Sequence, residues 1–261
     1  VTELMGYFNA VLFLPQSLRV IEGAPEERRR YLNMTLSQVI PRYADLLSEY
    51  NHVLSQRNAL LKQIGEYGGD AEQLVFWDEQ LAAAGAFLIH ARIHAIQELE
   101  RLAIPIHNEI TRDVEILRLA YEPAYDPLPK SHRQYRLPLD SAYDRCGIPV
   151  EKIAQGFKDN LLQLRGEEIA RGVTTIGPHR DDLRFLSNSI DLGVYGSRGQ
   201  TRTAMLSLKL AEVSWMKSRS GQWPVLLLDE VLAELDQDRR VDLIRRLTEG
   251  EQIMMTTTDL D

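Results

Sequence analysis

Val225-Leu226-Leu227-Leu228 runs directly into two carboxylates, Asp229 and Glu230. An apolar run of this kind reads as a buried strand, and an unpaired carboxylate at its end is costly to desolvate. The pair therefore calls for a cation, a proton or a polar cleft. In a nucleotide-hydrolysing sheet, the first carboxylate of such a pair holds Mg²⁺, directly or through water. The second orients the attacking water. Upstream, Gly196-Ser197-Arg198-Gly199-Gln200 precedes a helical pattern over 201–217. Its amides and the Ser197 hydroxyl at the positive end of that helix suit an anion. An ordinary N-cap with flexible glycines accounts for the same string. Downstream comes Asp236, within Ala233-Glu234-Leu235-Asp236. A second apolar strand, Ile253-Met254-Met255, then ends in Thr256-Thr257-Thr258. The C-terminal ends of parallel strands gather on one edge, where ligands bind.

These residues must be positioned by the elements before them. Tyr7 to Leu14 reads as a strand stopped by Pro15, and Pro25-Glu26-Glu27 opens a helix. Arg28-Arg29-Arg30 reads first as a solvated helix face rather than a phosphate contact. Pro41 opens a helix running to about Ile64, and Gly65 to Gly69 form a turn. Asp70 caps a second long helix, and Pro105 begins a further turn or two. The two long helices read as an antiparallel hairpin with arms of roughly 25 to 32 residues, about 35–50 Å each. His90 and His94 share a helix face at i, i+4, without the glutamate of a zincin pattern. A solvated or structural pair is the simpler account. A strand is expected over 114–121, a connector over 122–149 and an amphipathic helix over 150–171. Two hairpin strands flank the turn Ser187-Asn188-Ser189.

The chain has 261 residues, 44% of them hydrophobic, enough for one large or two smaller cores. Its single cysteine excludes an internal disulfide and fits a reducing compartment. No apolar run reaches membrane-spanning length. The net charge of −8 argues against indiscriminate DNA binding, though not against a local basic patch. Of 30 basic residues 24 are arginine, which suits phosphate and carboxylate forks. The chain opens at Val1 in mid-pattern, so an excised piece of a longer protein is expected. Apolar surface should then be exposed near Tyr7–Leu14 and Val225–Leu228.

The order of these motifs resembles the SMC-like branch of the ABC-type ATPases. Ser197-Arg198-Gly199-Gln200 is similar to the signature motif, 225–230 to Walker B and 233–236 to the D-loop. Thr256 to Thr258 stand at the switch position. Within that branch the chain resembles the RecF family. Gly177-Pro178-His179-Arg180-Asp181-Asp182, Ser197 to Arg202, and the two acidic motifs carry that likeness. So do Val11 to Pro15 and Gly23 to Arg29 near the start. A Walker A loop is missing, and no Gly-Lys dipeptide occurs anywhere.

The resemblance implies an α/β fold, part of an ABC/SMC-like ATPase head with an inserted helical hairpin. Residues 1–24 and 222–261 would form the incomplete ATPase lobe, and 25–221 the lever and signature lobe. It also implies an ATP-dependent homodimer that binds DNA and helps load a recombinase at single-strand gaps, with RecR and RecO as partners, in the bacterial cytoplasm. ATP and Mg²⁺ would be the cofactors. Asp229 would hold the metal and Glu230 act in catalysis. Ser197, Arg198, Gly199 and Gln200 would clasp the partner's ATP, and Asp236 would cross the interface. Thr257 and Thr258 would stand in for the switch residue. Arg180, Arg184 and Arg202 are candidate DNA contacts. The other account of them is pairing with Asp181, Asp182 or Asp191. ATPase activity is expected of the longer protein, not of this piece. Another SMC-like ATPase and a non-catalytic helical scaffold are the alternatives.

Overall fold

The structure, a computed structural model, describes residues 8–128, 144–229 and 252–256. Glu230, Asp236, Thr257 and Thr258 lie outside the described residues. The chain divides into two compact units. Unit 1 comprises residues 1–41, 95–120 and 183–261, and unit 2 comprises 42–94 and 121–182. The expected lobes, 1–24 with 222–261 against 25–221, follow different lines. The division observed falls inside a long helix and places the helix that follows Ser197 in the same unit as the strand that ends at Asp229.

Unit 1 is built around a parallel sheet. β1 (Ala10–Phe13) pairs with β5 (Val225–Asp229), which pairs with β6 (Ile253–Thr256). Side chains alternate across a strand, so Val11, Phe13, Leu226 and Leu228 share one face, and all four are buried. The expected apolar exposure on β1 and β5 is therefore absent from that face. It occurs at Phe8, just before β1, and on β6, where Ile253, Met254 and Met255 are exposed. β6 is an edge of the sheet in the described residues, so only one side of it gains a strand neighbour.

α7 (Arg198–Ser220) packs on β1. From Thr201 to Met216 nearly every side chain of α7 is buried, which makes it a central helix rather than an amphipathic surface one. Its buried polar groups are paired accordingly. Lys209 lies 2.8 Å from Glu212, and Glu212 also accepts hydrogen bonds from Thr35 (2.8 Å) and Tyr31 (3.2 Å) on α2 (Pro25–Val39). Ser207 donates to the Thr203 carbonyl at 2.8 Å and lies 3.2 Å from His107 Nδ1. Trp215 Nε1 and the Arg219 guanidinium both donate to Glu98.

α4 (Leu74–Thr111) runs unbroken through Pro105. The expected helix start at Pro105 is thus corrected: the proline removes one intrahelical bond, and buried residues on either side of it, Ala103 and Ile106, hold the helix. The turn between β3 (Asp182–Ser187) and β4 (Ile190–Asp191) is also shorter than expected. Asn188 and Ser189 alone form it, both at positive φ, which matches the twist of a two-residue hairpin. These strands and β2 (Leu117–Glu122) make a second sheet, ordered β2-β3-β4.

Unit 2 packs α3 (Tyr43–Tyr67), the first part of α4 and α5 (Val150–Arg171). α3 begins at Tyr43, after Arg42 at φ 65°, rather than at Pro41. A Cβ at Gly85 would stand 2.7 Å from the Phe157 ring, so only glycine admits that close approach. The centre of the unit is polar. Arg57, fully buried, donates to Asp78 (2.7 Å), Glu168 (2.6 Å) and Thr174 (2.7 Å). Arg165 reaches the other Asp78 oxygen at 3.0 Å, and Glu168 accepts the Thr175 amide at 2.6 Å.

Removing the Arg57 cation would leave Asp78 and Glu168 buried, each with one partner fewer. Arg57→Ala should destabilise the fold by about 3–5 kcal/mol, the cost of breaking a buried ion pair from one side. Urea unfolding followed by circular dichroism measures this. A loss below about 1 kcal/mol, as for a surface pair, would contradict the assignment.

Candidate nucleotide site

The parallel register sets the first half of the site. Asp229 closes β5 and is in register with Thr256 at the end of β6. The Thr256 hydroxyl donates to Asp229 Oδ1 at 2.6 Å. The strand-end carboxylate is thus half-buried at the end of its strand and held by Thr256, the first residue of the threonine run. A carboxylate beside a hydroxyl is a hard oxygen donor set, which fits Mg²⁺ better than a softer metal.

The second half is the turn into α7. Ser197 is the N-cap: its Oγ accepts the Gln200 amide at 3.2 Å, and Gln200 Oε1 accepts the Ser197 amide at 3.0 Å. This reciprocal capping box satisfies two of the helix's first amides. The Ser197 and Gln200 side chains therefore serve as a cap here, the simpler of the two accounts of this string. Ser197, Arg198 and Gly199 are nonetheless exposed, and a cap uses only a lone pair of the serine oxygen. Its O–H remains able to donate to an anion.

The turn is fixed from below. A Cβ on Gly196 would stand 2.5 Å from the Leu192 carbonyl, and one on Gly193 2.7 Å from the Ile21 carbonyl. The short α6 (Leu192–Tyr195) is capped by Asp191, which accepts the Gly193 amide at 2.9 Å. Thr201 lies 3.1 Å from Glu22 at the end of α1 (Arg19–Glu22). Arg28 donates to the Gly23 carbonyl at 2.7 Å, closing the same corner, and Arg29 pairs with Glu26. Sequence reasoning passed over Glu22, and over the capping role of Asp191. Asp191 followed two residues later by glycine is a capping signal that could have been read.

The candidate DNA contacts separate. Arg184 lies 3.7 Å from Asp191, one of the pairings considered for it, and Arg202 is half-buried. Asp181 pairs with Arg92 at 2.8 Å, and Arg180 is exposed. His90 and His94 lie with ring centroids 4.4 Å apart, but no group of three metal-ligating side chains forms among the described residues. Burial, and then repulsion from His94, hold His90 below the usual histidine range, against a smaller opposing pull from Glu151.

These features define part of an ABC-type ATPase head. A solved structure of the recombination mediator protein RecF with ATPrS, in the RecFOR pathway, superposes with a TM-score of 0.84 at 32% identity. It covers 99% of this chain and 65% of that one. The corresponding structure with ATP gives 0.83. DNA replication and repair protein RecF of Halothermothrix orenii is 44% identical over 261 residues, covering 99% of this chain and 65% of the relative. RecF of Herpetosiphon aurantiacus is 44% identical, with 62% of its length covered, and RecF of Staphylococcus carnosus 38%, with 66%. No protein-family model matches the chain. The chain is similar to these RecF proteins over nearly all of its own length, and it spans somewhat under two thirds of theirs.

Ser197→Ala should lower stability by about 1 kcal/mol through loss of the cap, read from the shift of a urea midpoint at constant slope. The His90 shift has a defined sign. A depressed folded-state value contributes stability above the unfolded value of about 6.5 and loses it as pH falls through the folded one. Thermal unfolding between pH 7 and 5 should therefore fall more steeply in the parent than in His90→Gln. Parallel profiles would contradict this.

Proposed function

We propose that the chain is the signature-bearing and Walker B-bearing part of a DNA-repair ATPase that dimerises on ATP. The observation that carries this reading is the match of nearly the whole chain, at 32% identity, to RecF solved with ATP. The register that brings Asp229 to the end of β5 beside Thr256 supports it. In this reading Asp229 holds Mg²⁺ and Glu230 polarises the attacking water. Thr257 and Thr258 stand in for the switch residue. The ion, when bound, supplies charge neutralisation at the phosphates.

The Ser197 turn acts on a different nucleotide, that of the second copy. Ser197, Arg198, Gly199 and Gln200 offer a hydroxyl, amides and a guanidinium at a helix N-terminus, each suited to a terminal phosphate. Asp236 crosses between copies. ATP then joins the two subunits and hydrolysis releases them. DNA at single-strand gaps is the substrate surface, RecR and RecO are the partners, and the bacterial cytoplasm is the location. Among the described residues no helix is long and apolar enough to cross a membrane.

The sequence contains no Gly-x-x-x-x-Gly-Lys-Ser/Thr loop to cradle the β- and γ-phosphates. This chain alone should therefore show no saturable binding of Mg-ATP at micromolar concentration by calorimetry. In a chain of the relatives' full length, ATP should drive dimerisation, and Glu230→Gln should prolong the dimer by slowing hydrolysis. Light scattering coupled to gel filtration reads both outcomes. A full-length chain that stays monomeric with ATP, parent and variant alike, would overturn the proposal.

A further inference from the structure

Gly177-Pro178-His179-Arg180-Asp181-Asp182 takes no part in either half of the nucleotide site, yet unit 2 builds a dense set of bonds around it. The Arg180 amide donates to the Gly177 carbonyl at 2.8 Å, closing a turn, with Gly177 at φ 120°. A Cβ on Gly177 would stand 2.5 Å from the Tyr50 hydroxyl. Pro178 offers its carbonyl to Arg92 at 2.5 Å. The His179 ring is held between the Tyr50 hydroxyl (2.7 Å) and the Thr174 carbonyl (3.2 Å). Asp181 is buried and accepts from Arg92 (2.8 Å), Tyr121 (2.5 Å) and the Ala124 amide (2.9 Å). Burial and then the Asp181 charge push the Tyr121 phenol up, so it stays a donor. From Gly177 to Asp181, every side chain or carbonyl just named points inward, and Arg180 alone is exposed.

Among the described residues, the other cations of this unit are mostly neutralised. Arg57, Lys62, Arg92, Arg145, Lys158, Arg165 and Arg171 all sit in ion pairs. Arg42, Lys152 and Arg180 form none with any described residue. Of these three, only Arg180 stands on a turn immobilised by buried partners. A guanidinium on a rigid turn loses little freedom on docking, and its planar fork matches a phosphate.

We infer that Arg180 is a positioned phosphodiester contact on unit 2. The inference rests on the DNA-binding reading above, and the relatives' description as DNA replication and repair proteins favours nucleic acid over an acidic protein. With a net charge of −8 on the chain, such a contact orients DNA locally rather than attracting it from afar.

Fluorescence anisotropy with a labelled gapped duplex, measured with ATP over a series of NaCl concentrations, tests this on a chain of the relatives' full length. Arg180→Ala should weaken binding and reduce the slope of log K against log salt by about 1, with no change in melting temperature. Arg180→Lys should restore the slope but not the full affinity, because the fork is lost. If the parent binds and Arg180→Ala keeps the parent slope, the inference fails and the DNA reading stands. If the parent does not bind DNA, both fail. Displacement of the parent's DNA by polyglutamate that Arg180→Ala resists would assign the arginine to an acidic protein and overturn the proposal.

Discussion

The parallel register of β5 and β6 is the constraint on which the first half of the site depends. Parallel pairing brings two strand ends to one edge, and here it sets Thr256 against Asp229. A carboxylate there escapes full burial, accepts a hydroxyl and keeps an oxygen for a cation. One residue of slippage would turn the side chains of β5 to the opposite face and remove Leu226 and Leu228 from the core. The packing under the sheet and the placement of Asp229 are thus one requirement.

α7 serves the second half in the same way. Its capped N-terminus presents Ser197, Arg198 and Gly199 outward, while the helix from Thr201 to Met216 is buried on nearly all sides. A central helix is a stiff support. Its buried Lys209, Glu212 and Ser207 are held by α2, α4 and the helix itself. The exposed turn at Ser197 therefore rests on a helix that is buried from Thr201 to Met216 at nearly every position.

Much of this was legible in sequence because it is written in local patterns. The apolar run 225–228 ending in Asp229, the glycine-serine turn before a helix, and the two long helices each have short-range causes. The break at Pro105 was misread because a proline's cost is local, while the burial of Ala103 and Ile106 that outweighs it is not. Arg57 and Arg92 gave no signal: each sits in a helical pattern as an ordinary charged residue. Only the fold brings Glu168 and Asp181 to them, more than eighty residues away in sequence. The pairing of Glu212 with Thr35 and Tyr31 was hidden for the same reason. The motif at 177–182 was visible as a string, but its internal bonds were not, so its one outward side chain could not be told from the rest.

The central claim is that the strand-end carboxylate at Asp229 is a metal ligand of a nucleotide site. Electron paramagnetic resonance of Mn²⁺ with ATP tests it most directly, using a chain of the relatives' full length and its Asp229→Asn variant. The account predicts that the parent removes the free Mn²⁺ signal in an ATP-dependent manner, and that the variant binds ATP but leaves most of the Mn²⁺ signal free. Equal loss of the signal in both would contradict it.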